Sequence, residues 1–281
     1  MTVPTLAHTP PVGAPGAPLL VLGPSLGTAS QPLWHGALPV LAERYRVTLW
    51  DLPGHGDSPV ADQPFSVADL ADAVAAIADD LDAETVLYAG VSLGGATGLQ
   101  LCLRHPDLVA GAAIVASAAR LGEPDSWVAR AAAVRAGSTS VVVDASAARW
   151  FAPGFVAENL PVVDELLQSL RDADAESYAR CCEALGGHDV SARLAEIALP
   201  VLALWGEHDA VAPEESAREL ATGVRHGRSE MIASAAHLPP AERPVETAVA
   251  LRDFFDNLHE TISVGDSGAN AQPGSSPRAL S

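Results

Sequence analysis

Ser92 stands in the pentapeptide Gly90–Val91–Ser92–Leu93–Gly94. A serine hydroxyl is a weak nucleophile at neutral pH. It needs a base to take its proton and a carboxylate to orient that base. The spacing answers a steric demand, because a nucleophile on a tight strand-to-helix turn tolerates only small residues two before and two after it. Gly90 and Gly94 meet that demand, and Gly95 adds room. The apolar run 85–90 (TVLYAG) and the helical stretch that follows supply the strand and the helix. At the start of that helix the backbone N–H of Leu93 is available to a developing oxyanion. The pentapeptide alone says little in a chain with 23 glycines; its flanks give it meaning.

In this strand–turn–helix setting the partners follow in the order serine, acid, histidine. Of nine histidines, two fall late enough in the chain and near element ends. His259 closes the last helix and reads as a solvated surface residue. His237, in SAAHLPPAERP, lies in the loop directly after the last strand and is the expected base. The acid should follow the strand before that one, where PVLALWGEHDAVAP offers Glu207 and Asp209. Asp209, a turn beyond the strand, is favoured, and Glu207 reads as a solvated loop residue. A second oxyanion donor should come from the loop after the first parallel strand, GPSLGTAS. The Leu26 backbone N–H is the candidate, with Ser25 beside it as a substrate contact.

Other residues that look chemical have plainer readings. His55 and Asp57 in DLPGHGDSP should bond to backbone at the sheet edge. His105 should end a helix, where the dipole favours it. Cys181 and Cys182 should pack within a helix, and His188–Asp189 should end one.

The elements that must position these groups alternate along the chain. Short apolar runs at 18–23, 45–50, 85–90, 110–117, 200–205 and about 228–234 read as buried parallel strands. Helical patterns lie between them at about 32–43, 66–82, 92–104, 214–222 and 244–258. Ser66 is a plausible N-cap with Asp69 at N3, and Val67, Leu70, Val74, Ile77 and Leu81 form one apolar stripe. The fold class expected is α/β, a mostly parallel sheet flanked by helices. Residues 120–195 break the rhythm, with helices and no strands. They read as a helical cap inserted into a core formed by 1–119 and 196–262, lying over the carboxyl ends of the strands where ligands bind in open α/β sheets. The Gly/Ser/Pro-rich 263–281 reads as a disordered tail.

The chain has 281 residues, 48% of them hydrophobic, enough for one α/β core with an insertion. Its formal net charge is −19, and all 16 basic residues are arginine. That acidity argues against nucleic acid and anionic membrane surfaces as partners. No apolar run approaches the ~18 residues of a membrane span, and the N-terminus lacks the basic and apolar regions of a signal peptide. Three cysteines are too few for a disulfide framework and fit a reducing cytoplasm. No Cys/His spacing suggests zinc, and the serine chemistry requires no metal or organic cofactor.

The segments GPSLGT, DLPGHGDSP, GVSLGG, RHPDLV, GEHDAVAP and SAAHLPPAERP together resemble the α/β-hydrolase family. Within it the chain is similar to 3-oxoadipate enol-lactone hydrolases over about residues 1–258. The more selective matches are SLGT after the first strand, ARWFAPGF (148–155) and SYARCCEALGGHD (177–189). The departures are GPS where an Asn–Ser pair is expected and the proline-rich HLPPAERP. The resemblance implies opening of a five-membered enol-lactone that carries an acetate arm, through an acyl-enzyme on Ser92. Its partner would be this small anionic lactone. In an acidic protein, an arginine must hold the substrate carboxylate. Arg130, Arg135 and Arg149 are candidates, with Trp127 and Trp150 as walls. Carboxylesterases, carbon–carbon bond hydrolases and cofactor-free haloperoxidases share the same core residues. A non-catalytic small-molecule receptor is a further alternative, set against the presence of all three polar groups.

Overall fold

Six short runs become six parallel strands because each is apolar along its whole length or paired to one that is. They are β1 (Leu19–Gly23), β2 (Arg46–Leu49), β3 (Val86–Val91), β4 (Val109–Val115), β5 (Pro200–Gly206) and β6 (His226–Ile232). The computed structural model describes residues 2–258, so His259 and the expected tail at 263–281 lie outside the described residues. The sheet order is β2-β1-β3-β4-β5-β6, every pairing parallel. β1 and β3 are buried at every position, as a strand covered by helices on both faces must be.

The helices are α1 (Ser30–Trp34), α2 (Leu38–Ala42), α3 (Val67–Asp80), α4 (Leu93–Arg104), α5 (Pro124–Gly137), α6 (Val143–Trp150), α7 (Phe155–Glu158), α8 (Leu160–Asp172), α9 (Ala175–Gly186), α10 (Glu214–Gly223), α11 (Pro239–Glu242) and α12 (Pro244–Asp256). α3 starts as its sequence dictates. The Ser66 hydroxyl accepts from the Asp69 N–H, and the Asp69 carboxylate accepts from the Ser66 N–H at 2.7 Å. Such a box stabilises a helix by about 1 kcal/mol. Its stripe of Val67, Leu70, Val74 and Ile77 is buried, and Leu81 is partly so.

Two elements differ from expectation. The single helix expected at 32–43 is two, α1 and α2, broken around Gly36. A side chain there would sit 2.7 Å from Pro244, so the turn packs against α12 only through a glycine. The last strand begins at His226, before its apolar residues. His226–Arg228 carry no hydrophobic signal and are held by pairing to Pro200–Leu202 at the sheet edge. Near the N-terminus, His8 and Val12 make isolated antiparallel bridges to Trp50 and Val47.

Between β4 and β5 the chain forms only helices, α5 to α9, and two 3-10 turns at Thr139–Val142 and Ser191–Glu196. α8 buries Val163, Leu166, Leu167 and Leu170. α9 buries Tyr178, Cys181, Cys182 and Leu185 and packs along α5. The buried thiols of Cys102 and Cys182 are pushed up to about 12, which keeps them uncharged packing groups. Among the described residues no helix is long and apolar enough to cross a membrane.

The site follows from the strand order. The chain leaves β1 toward β2 on one side, while β3 lies on the other, so the loops after β1 and β3 diverge and open a crevice at the carboxyl ends. Gly23 of β1 pairs with Gly90 of β3. Leu26 and Ser92 therefore emerge three and two residues past a shared register point, on either side of that crevice.

Candidate active site

Ser92 occupies a strained backbone position, φ 54° and ψ −111°, between the end of β3 and the first residue of α4. A non-glycine residue there costs on the order of 1–3 kcal/mol, which the surroundings must hold in place. They do so by close approach. A Cβ on Gly90 would lie 2.4 Å from the Gly94 carbonyl group, and one on Gly94 would lie 2.5 Å from the Pro24 carbonyl oxygen. The Gly94 N–H donates to that Pro24 oxygen at 3.0 Å, and the Tyr88 hydroxyl donates to the Gly94 carbonyl at 2.7 Å. The Ser117 hydroxyl donates to the Ser92 carbonyl at 2.7 Å.

These bonds decide which amides remain available. The Gly94 N–H is consumed; that of Leu93 has no partner among the described residues, as expected at the first position of a helix. The β1 loop is arranged the same way. The Ser25 N–H donates to the Thr28 hydroxyl at 3.1 Å, and the Ser25 carbonyl accepts from Thr28 twice. The Leu26 N–H is left without a partner among the described residues. Gly27 turns at φ +87°, and a side chain there would sit 2.6 Å from Leu170 of α8. Two unpaired amides on two loops tied by the Pro24–Gly94 bond form a suitable donor pair for an oxyanion.

Asp209 lies three residues past β5 and His237 five past β6. The two loops are joined by backbone bonds from Glu207 to Ile232 and from His208 to Ala235. Both side chains are buried, and the His237 Nδ1 lies 3.1 and 3.0 Å from the two Asp209 oxygens. The Oδ1 of Asp209 also accepts from the Val211 and Ala212 N–H groups at 2.8 and 3.2 Å. A carboxylate held this way keeps the Nδ1 proton and leaves Nε2 as the basic nitrogen. Glu207 is exposed, and its carboxylate accepts from the Ser234 N–H at 2.8 Å.

Ser92 and His237 open onto one cavity of about 450 Å³, lined also by Ser25, Leu26, Trp127, Arg130, Arg149 and Trp150. Ser126, Val142 and Val211 line it too, and nothing in their sequence surroundings marked them. Arg130 is fixed. Its Nε donates to the Tyr178 hydroxyl at 2.8 Å and its Nη2 to the Ser146 hydroxyl at 3.0 Å. Its guanidinium lies 5.9 and 5.6 Å from the ring centres of Trp127 and Tyr178. Arg149 makes no hydrogen bond or ion pair among the described residues. Partial desolvation, and then the Arg130 charge, lower its affinity for its proton. Arginine remains charged at neutral pH regardless.

Arg135 is not brought to this cavity. It is paired with Glu176 and Glu183 on the outer face of α5 and α9. Five residues of helix turn a side chain about 140° from the position of Arg130, so the two cannot face one space. Asp57 also differs from expectation: Asp51 is the acid that holds this loop, accepting from the Ser30 and Asp57 N–H groups at 2.7 and 3.1 Å. His55 does bond to backbone, at the Pro53 carbonyl (2.9 Å), and stacks on Tyr178 with ring centres 5.9 Å apart. His105 caps α4 and pairs with Asp72 at 2.8 Å. His188 follows α9 and is buried.

Comparison with known proteins agrees with this fold. The family model of the alpha/beta hydrolase fold matches residues 18–244. The 3-oxoadipate enol-lactonase 2 of Acinetobacter baylyi is 32% identical over 232 residues, 83% of this chain and 86% of the relative. The 3-oxoadipate enol-lactonase 1 of the same organism is 33% identical over 246 residues, 88% of this chain and 91% of the relative. The crystal structure of an enol-lactonase from Burkholderia xenovorans LB400 superimposes with a TM-score of 0.85 at 30% identity, covering 90% of this chain and 96% of that one.

Proposed function

This chain belongs to the α/β-hydrolase family, and we propose that it opens the ring of 3-oxoadipate enol-lactone by a Ser92–His237–Asp209 mechanism. The observation that carries the substrate is the pair Arg130 and Arg149, neither with an acidic partner among the described residues, lining the cavity that Ser92 and His237 share. In a protein of net charge −19, such a cationic patch favours an anionic substrate. Arg130 is already bonded to Tyr178 and Ser146, so Arg149 has the free fork and takes the carboxylate. The Trp127 and Trp150 rings form the walls.

His237 Nε2 removes the Ser92 proton as the serine oxygen bonds to the lactone carbonyl carbon. The Leu26 and Leu93 N–H groups receive the oxyanion; one such donor is worth about 3 kcal/mol in the transition state. The carbonyl reforms, the ring C–O bond breaks, and His237 returns its proton to the departing enol oxygen. The enol relaxes to a ketone, which removes the nucleophile that could close the ring again. Water, activated by His237, then releases 3-oxoadipate from Ser92. Simple ester hydrolysis is the competing reading, because the same triad serves both. The test is to assay the wild-type protein on the enol-lactone and on neutral p-nitrophenyl esters. The reading expects kcat/KM for the lactone to exceed that for the esters by orders of magnitude. Ester turnover without lactone turnover would refute the substrate and leave the triad standing.

A further inference from the structure

Glu242, the last residue of α11, is a carboxylate that the reaction does not use and that is almost fully buried, 3% exposed. Burial pushes its carboxyl up; the N–H groups of Ala152, Ala236 and Leu238 act against that, followed by the charge of His237. One oxygen accepts from the Ala152 N–H at 2.6 Å, and the other accepts from the Ala236 N–H at 2.7 Å. Ala236 immediately precedes His237. Ala152 lies two residues past Trp150, in the cap. The amide of His237 itself donates to the Trp150 carbonyl at 3.1 Å.

Residues 236 and 237 and cap residues 150 and 152 are thus laced in both directions. Strand pairing and the Asp209 bond hold His237 from the core side. From the cap side, these are the hydrogen bonds that hold it among the described residues. The cap segment that ends in Arg149 and Trp150 carries two walls of the cavity. A carboxylate is the group that suits the junction, since both of its oxygens accept and the two amides facing them both donate.

We propose that Glu242 is a positioning residue, clamping the His237 loop to the cap so that the base and the substrate-holding wall keep one fixed relation. This rests on the reading of His237 as the general base. A displacement of about 1 Å at a base can lower turnover by about 100-fold, so loss of the clamp should be visible in kcat.

The experiment is Glu242→Gln, measured on the purified full chain beside His237→Ala. Glutamine has the same shape, but one acceptor becomes an NH2 group facing an N–H. The expected result is a folded protein whose kcat, per serine titrated with a fluorophosphonate, falls about 10- to 100-fold for the enol-lactone and for a neutral ester alike. The rate of fluorophosphonate reaction at Ser92 should slow by a similar factor. A merely structural glutamate would lower Tm and leave kcat per titrated site unchanged, and that outcome overturns the proposal. If His237→Ala keeps full activity, the mechanism itself falls; if only Glu242→Gln is unaffected, the clamp alone does. Should Glu242→Gln fail to fold, amide hydrogen exchange of the wild-type protein decides. Matching slow exchange at Ala152 and Ala236 supports the clamp, and exchange at Ala152 orders of magnitude faster than at Ala236 refutes it.

Discussion

Replacing Arg149 with methionine should raise KM for the enol-lactone about tenfold and leave a neutral ester within about twofold. The size follows from where the side chain sits. It has no partner to lose among the described residues, so nothing in the free protein is left unpaired by the change. A charge-assisted bond to a carboxylate contributes roughly 1.5–3 kcal/mol. Arg149 lines the cavity and is exposed, so water and salt screen the pair and the lower end applies. About 1.5 kcal/mol is close to tenfold. Arg130 remains and keeps some of the local positive field. Arg149→Lys retains the charge and loses the fork, and should cost about threefold. The assay is steady-state kinetics on both substrates at two salt concentrations, and the lactone penalty should shrink at high salt. An unchanged lactone KM, or an equal loss on the neutral ester, would refute the assignment of the carboxylate to Arg149.

Asp209→Asn should lower kcat by about 10,000-fold with little change in Tm. The Val211 and Ala212 amides would keep the asparagine oxygen in the Oδ1 place, which turns its NH2 toward His237 Nδ1. That forces the imidazole proton onto Nε2, and Ser92 then faces a donor where it needs a base. Stability should fall on acidification, measured by urea unfolding at pH 7 and pH 5. Burial pushes His55 and His188 down to about 4 from an ordinary value near 6.5. Between those values the unfolded chain binds more protons than the folded one, so stability is full above about pH 6.5 and lost as pH falls toward 4. Each histidine contributes about 2 kcal/mol of loss by pH 5 on this linkage, and His188→Gln should remove one such share.

The positions of Ser92, Asp209 and His237 at one edge of the sheet were legible because their signals are local. Each of Ser92, Asp209 and His237 follows an apolar run closely, and parallel strands bring all such loops to one edge. The strands were legible for the same reason, except at His226–Arg228, where backbone pairing alone extends β6. The arginines were not legible. Arg130 and Arg135 share α5, and choosing between them requires the rotation of that helix about its axis, which the alanine-rich Pro124–Gly137 has no apolar stripe to fix; Arg149 lies on α6, and its place at the cavity depends on how that helix packs. The sequence pattern marks Asp57 and does not mark Asp51, because both flank the same turn and only the folded loop shows which carboxylate faces the amides. Glu242 gave no signal, since its partner Ala152 lies 90 residues earlier and the pairing exists only once the cap is in place.

The central claim is that Ser92 is the nucleophile for lactone opening, and Ser92→Ala tests it most directly. The folded variant, checked by an unchanged circular dichroism spectrum, should be assayed spectrophotometrically for enol-lactone hydrolysis beside the wild type. The expected outcome is a fall in kcat of at least 10,000-fold, to the residual rate that binding and the two loop amides provide. Retention of wild-type turnover by Ser92→Ala would contradict it.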